Sequence, residues 1–247
     1  MIQPRHIALS FGFAFLITIF SNILVSSNIQ NDVANRFFIL IGGKFFEGGY
    51  IQFLTFWSFF LSLELIKDKR KFIKEQKTLN SKTLLSEKGK LVYLSDDVNN
   101  IRVKTEESHH KESIINKVII RACAKFRGTN SISEMMGMVS EQMQVYADHE
   151  YIEHAPIRYL NSAIPSLGFI GTVIGLSGAM KWANSGNMNV ITSELAVAFD
   201  TTLVALILSL IINWYQSVLE KESDTLFLEI KHIITDRLIN RIEITNK

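Results

Sequence analysis

Apolar positions along this chain gather into four long blocks separated by stretches where charge and polarity return. The blocks are Ile7–Val25, Gly48–Ile66, Leu160–Met180 and about Leu195–Trp214. Each is about 20 residues, enough at 1.5 Å per residue to cross a hydrocarbon core of ~30 Å. The first exceeds the 7–15 residues of a signal-peptide core, and Ser26-Ser27-Asn28 makes a poor cleavage site, so it reads as a retained membrane helix. Between the first two blocks, Asn28–Phe46 reads as a mixed loop with one short amphipathic piece, Val33–Ile41.

Outside the blocks the pattern is helical where it is regular at all. Thr78–Ser113 reads as an irregular insert, punctuated by Gly89, Asp96-Asp97, Asn99-Asn100 and His109-His110. From about Glu112 to Ala155 apolar residues return at helical spacing: Ile114, Ile115, Val118, Ile119 and Ala122, then Ile132, Met135, Met136, Met138, Val139, Met143 and Val145. Gly128-Thr129-Asn130 divides that stretch into two helices. The Met stripe reads as packing between helices. Neither Gly nor Pro occurs from Asn187 to Lys247, so the fourth block predicts one helix running on for about 55 residues, roughly 80 Å. Leu219, Leu226, Ile230, Ile233, Leu238 and Ile242 mark its drier side.

The fold class that follows is all-α: a polytopic membrane protein with four transmembrane helices and a helical cytoplasmic region. Four segments are expected. Residues 1–66 form an N-terminal membrane hairpin with spans at about 7–25 and 48–66, and 67–159 form a cytoplasmic helical region with the insert at about 78–113. Residues 160–214 form a core with spans at about 160–180 and 195–214, and 215–247 a cytoplasmic helical tail.

The last two blocks are not uniformly greasy. Pro165, Gly168, Gly171, Thr172, Gly175 and Ala179 give the third block one small face; Ala198, Thr202, Ala205, Ser209 and Asn213 do the same for the fourth. Small faces let membrane helices approach closely, and hydroxyls seated there can bond across helices or line a wet path. Gly168, Gly171, Gly175, Ala198 and Ala205 are therefore close-packing candidates. Asp200 is the sole acid deep within either block. An intramembrane carboxyl is costly unless neutralised, paired or hydrated, which makes it a functional-site candidate.

Composition sharpens this picture in a few respects. A hydrophobic content of 47% with mean hydropathy +0.17 fits a membrane bundle joined to a substantial wet part. The net charge of +2 says little, but its distribution matters. Lys67, Lys69, Arg70, Lys71, Lys74, Lys77 and Lys82 crowd one end of the second block, which places that end, and with it both termini, in the cytoplasm. A basic cluster abutting a membrane helix also suits anionic lipid, and with no base-stacking aromatic beyond Phe72 it gives no reason to invoke nucleic acid. Glu64 reads as a partner of Lys67 at the water boundary. The single Cys123 excludes an internal disulfide framework, and six scattered His with no Cys pair give no metal site and no cofactor pattern.

The run AIPSLGFIGTVIGL (Ala163–Leu176), followed after a short turn by AVAFDTTLVAL (Ala196–Leu206), resembles the MotA/TolQ/ExbB proton-channel family. The resemblance covers roughly Ile114–Ile242, and four spans resemble the MotA branch. It implies an ion-channel subunit, for H⁺ or Na⁺, of a motor complex in the bacterial inner membrane. It further implies a homopentamer around single-span MotB/ExbD/TolR-like partner helices that carry an essential Asp. Thr172 and Thr202 match the family's pore-facing threonines and Pro165 the proline near the ion path; Thr201, Asp200 and Ser209 join them as ion-pathway candidates. Two departures accompany this. Val197 stands about where TolQ and ExbB carry a glutamate, and the charged pairs with which flagellar members engage a rotor have no match.

Two other readings weigh against it. A non-conducting membrane scaffold would also use small residues and threonines as helix contacts. Gly175-Leu176-Ser177-Gly178 spells the Gly-x-Ser-Gly of intramembrane proteases, but a nucleophilic serine needs a base within reach. No His lies between His154 and His232, so an enzyme is not expected.

Overall fold

A computed structural model describes residues 3–27, 32–83, 85, 92–184 and 186–243. Eight α-helices are present among the described residues: α1 Pro4–Ser26, α2 Asp32–Leu40, α3 Gly49–Asn80, α4 Ser95–Glu106, α5 Ile114–Thr129, α6 Ile132–Glu153, α7 Ala155–Ala183 and α8 Met188–Arg237. Four helical stretches are long and apolar enough to cross a membrane: Pro4–Ser26, Gly49–Asn80, Ile132–Ala183 (α6 and α7) and Met188–Arg241. The chain divides into two compact units, Met1–Asp68 with Ala155–Val218, and Lys69–His154 with Leu219–Lys247.

The first unit turns the usual soluble pattern inside out. On α1 the buried residues are His6, Ser10, Ala14, Thr18 and Ser21, while Leu9, Phe13, Leu16, Phe20 and Ile23 face outward. A helix in lipid needs no apolar interior, and it can bury a small polar stripe because short hydroxyls bond to their own backbone. Ser10 donates to the Ile7 carbonyl at 3.0 Å and Thr18 to that of Ala14 at 3.0 Å. Aromatic rings then tie α1 to α3: Phe11 meets Phe53 and Trp57 edge-on, and Phe13 meets Phe60. At the basic end of α3, Lys67 pairs with Glu64 at 2.9 Å, and buried His6 reaches Asp68 at 2.6 Å. Phe59 of α3, Ile164 of α7, and Val204, Ala205, Leu208 and Ile212 of α8 form one apolar cluster.

The second unit is built from larger side chains. Ile115, Ile119, Cys123 and Phe126 of α5 and Met135, Val139 and Met143 of α6 are buried. Ser113 opens α5 by accepting from Asn116 N–H, and the Gln76 side chain accepts from Ile114 N–H at 3.0 Å. Asn130, at φ 47, closes it in the left-handed conformation that a short polar side chain tolerates. Met135 and Met143 are interior, whereas Met136 is exposed. Burial pushes the Cys123 thiol pKa up to about 12. A fork between Arg70 and Glu222, at 3.0 and 2.6 Å, joins the end of α3 to α8 within this unit.

Three features differ from the sequence reading. Helix α4 lies inside the stretch expected to be irregular. The Asp pair that reads as a breaker is a helix start: Asp96 and Asp97 occupy the first turn, where the helix dipole favours acids, and the Asp97 carboxylate accepts from Leu94 N–H at 3.0 Å. Asn99-Asn100 likewise falls inside α4, and Gly89 lies outside the described residues. In α8 the fully buried position after Ile230 is Ile234, four residues on, while Ile233 is half-buried. Finally, α8 ends at Arg237 after 50 residues, and the chain turns through Ile239–Arg241 to pair with Tyr93: Tyr93 N–H donates to the Arg241 carbonyl at 2.7 Å.

Candidate functional site: the contact between α7 and α8

Helix α7 contains Pro165, a residue without an N–H, and a glycine series on one side. Those glycines meet α8 backbone to backbone. A Cβ at Gly168 would lie 2.6 Å from the Ala205 Cβ and 3.3 Å from the Thr201 carbonyl. A Cβ at Gly175 would lie 2.7 Å from both the Ala198 Cβ and the Glu194 carbonyl. At Gly171 it would strike the Thr201 side chain. Nothing larger than hydrogen fits at these positions, so all five close-packing candidates come together in one seam.

Two hydroxyls cross that seam. Thr172 and Thr202 are hydrogen-bonded to each other. The Gly168 carbonyl lies 3.0 Å from the Thr202 hydroxyl and the Ala198 carbonyl 3.2 Å from that of Thr172, so one hydroxyl proton bridges the pair and the other serves a carbonyl. Both threonines are half-buried, as are Pro165 and Ser209. Thr201, by contrast, is buried against Gly171 and donates to the Ala198 carbonyl at 3.0 Å. Toward the other end, the Asn161 amide donates to Asn213 at 3.0 Å and to Gln216 at 3.1 Å.

Asp200 is not part of this seam. Its side chain is 6% exposed, and both carboxylate oxygens accept from the Arg36 guanidinium, each at 2.7 Å. Arg36 belongs to α2, the short helix between the first two apolar helices. Reading the sequence alone misses this partner, because Arg36 looks like an ordinary loop cation. The other acid that reading passes over is Glu194, whose carboxylate packs at Gly178. Among the described residues no cluster of His, Cys, Asp or Glu could hold a metal ion.

Residues 105–232, more than half of the 247, match the family model described as the MotA/TolQ/ExbB proton channel family. The chain belongs to that family. The match takes in α5, α6, α7 and most of α8, and leaves α1, α2 and α3 outside it. No curated protein and no solved structure matches. Members of the MotA/TolQ/ExbB family are channels and not enzymes, which disposes of the serine motif at Ser177. Membership implies a proton-channel subunit of a motor complex with a MotB/ExbD/TolR-type partner, and the family is typical of the bacterial inner membrane.

Proposed function

We propose that this chain is the conducting subunit of an ion-driven motor. Five copies surround single-span partner helices, and an essential Asp on those helices carries H⁺ or Na⁺ past the α7–α8 seam. In this reading Thr172 and Thr202 face the ion path, with Pro165 and Ser209 along it and Thr201 behind. Residues 160–214 are the channel core, 1–66 a flanking hairpin, and 67–159 and 215–247 the cytoplasmic parts, with both termini in the cytoplasm as the basic cluster after Ile66 argues. The carrying observation is the hydroxyl pair: two threonines on different helices are hydrogen-bonded to each other across the seam. One proton moving through ~150 mV releases about 3.5 kcal/mol, enough to bias a rotation step.

A specific observation also favours the scaffold alternative. A main-chain carbonyl lies within hydrogen-bond distance of each hydroxyl, which is how threonines cement helices where no ion passes. Thr202→Val separates the two readings, since it keeps the shape and removes the hydroxyl. In liposomes holding the chain with its co-purifying partner, Thr202→Val should abolish potential-driven proton flux while native mass spectrometry still records a pentamer. Undiminished flux overturns the ion path along this seam, and a stable monomer or dimer in the wild type overturns the pentamer.

A further inference from the structure

Three helices of the first unit, α1, α3 and α8, converge on α2 and the turn after it. The Phe38 carbonyl accepts from Ser21 of α1 at 2.6 Å, and the Leu40 carbonyl accepts from the Gln52 side chain of α3 at 2.6 Å. Just beyond, the Gly43 carbonyl accepts from Asn22 of α1 at 2.9 Å, and Gly48, at φ 114, sits against Val197 of α8. The tie from α2 itself to α8 is the fork of Arg36 on Asp200. A guanidinium fork fits a carboxylate in two parallel charge-assisted bonds, an arrangement that favours the ionised acid. The fork is half open to the outside, with the Arg36 side chain 51% exposed, while the carboxylate is enclosed.

We propose that Arg36 is the permanent counter-ion of Asp200, so that α2 is a strap holding α8 in place and Asp200 carries no proton. The proposal rests on the channel reading above and adds to it a positioning residue from outside the region that matches the family. Two geometric facts carry it. Asp200 and Thr202 are two positions apart, about 200° around a helix, so the ion pair and the threonine pair occupy opposite sides of α8. Loading a proton on Asp200 would also cost the enclosed carboxylate both charge-assisted bonds of the fork in every cycle, and take from Arg36 its counter-charge.

A double-mutant cycle on the purified complex tests the strap, read by thermal melting and by proton flux into liposomes. Arg36→Gln should lower the melting midpoint by roughly 5 °C or more, because it leaves the enclosed Asp200 charge unmatched, and Asp200→Asn by less, because the Arg36 it leaves is half open to the outside. The double variant Arg36→Gln/Asp200→Asn, an amide pair with neither charge, should recover the midpoint, the flux and its pH profile. Arg36→Lys keeps the charge in a milder form, and it should retain flux with an unaltered pH profile at a slightly lower midpoint. Loss of flux, or a shifted pH profile, in an assembled double or Lys variant overturns the proposal; so do additive melting losses across the cycle. Absence of flux from the wild-type complex would count against the channel reading instead, and leave the melting cycle to decide the strap.

Discussion

The α5–α6 pair and the α7–α8 pair hold together for opposite reasons. Helices α5 and α6 bring Ile115, Ile119, Phe126 and Met135 out of water, and their cohesion is the burial of large apolar side chains. Between α7 and α8 there are glycines, alanines and threonines, while Phe169, Ile174, Phe199, Leu206 and Leu210 point away. Lipid is as apolar as leucine, so expelling large side chains from it gains nothing. Close approach and bonded hydroxyls do the work instead. In one pair volume is the asset; in the other its absence is.

Substitutions that change volume therefore have opposite consequences in the two pairs. The largest effect is expected from Phe126→Ala, which removes a fully buried ring from α5 and should cost about 3–5 kcal/mol. Hydrogen exchange should show α5 and α6 opening together; protection unchanged there would mean that the ring is not central to the pair. Next comes Gly175→Ala, a single added methyl, which would meet main chain on α8 and should cost about 1–3 kcal/mol through overpacking. A melting curve and oligomer like those of the wild type would show that α7 and α8 can separate freely. The smallest effect has the other sign. Gly137 of α6 has no neighbour within 4 Å of an added Cβ, so Gly137→Ala should stabilise by about 0.5–1 kcal/mol from helix propensity alone. If it destabilises the chain, the open side of α6 is covered in the assembled protein.

The same contrast explains what the amino-acid sequence revealed and what it hid. Four apolar runs announce the helices, and the glycines at helical spacing in the third with the alanines and threonines of the fourth announce the family, because lipid imposes length and close packing imposes small residues. Long-range polar partners carry no such periodic mark. Asp200 stands out as a buried acid, yet Arg36 is 164 positions away and no spacing rule connects them. His6 is equally silent: nothing near it in sequence points to Asp68, which it meets at the opposite end of the hairpin's chain. Helix α4 was hidden for a local reason, since Asp pairs favour turns and helix starts alike, and only the buried Val98 and Thr105 decide between them. Ile234 rather than Ile233 faces inward because the 3.6-residue period carries the buried face from Ile230 four residues on.

The lone sulfhydryl of the chain has a practical consequence. Cys123 is enclosed in the second unit, and a thiol whose pKa stands at about 12 presents almost no thiolate at neutral pH. Maleimide and methanethiosulfonate reagents will pass over it while the fold is intact. The natural chain is thus already a blank background for scanning: a cysteine introduced at Thr172, Ser209 or Arg36 reports its own accessibility to water, and late labelling of Cys123 itself times the moment α5 lets go.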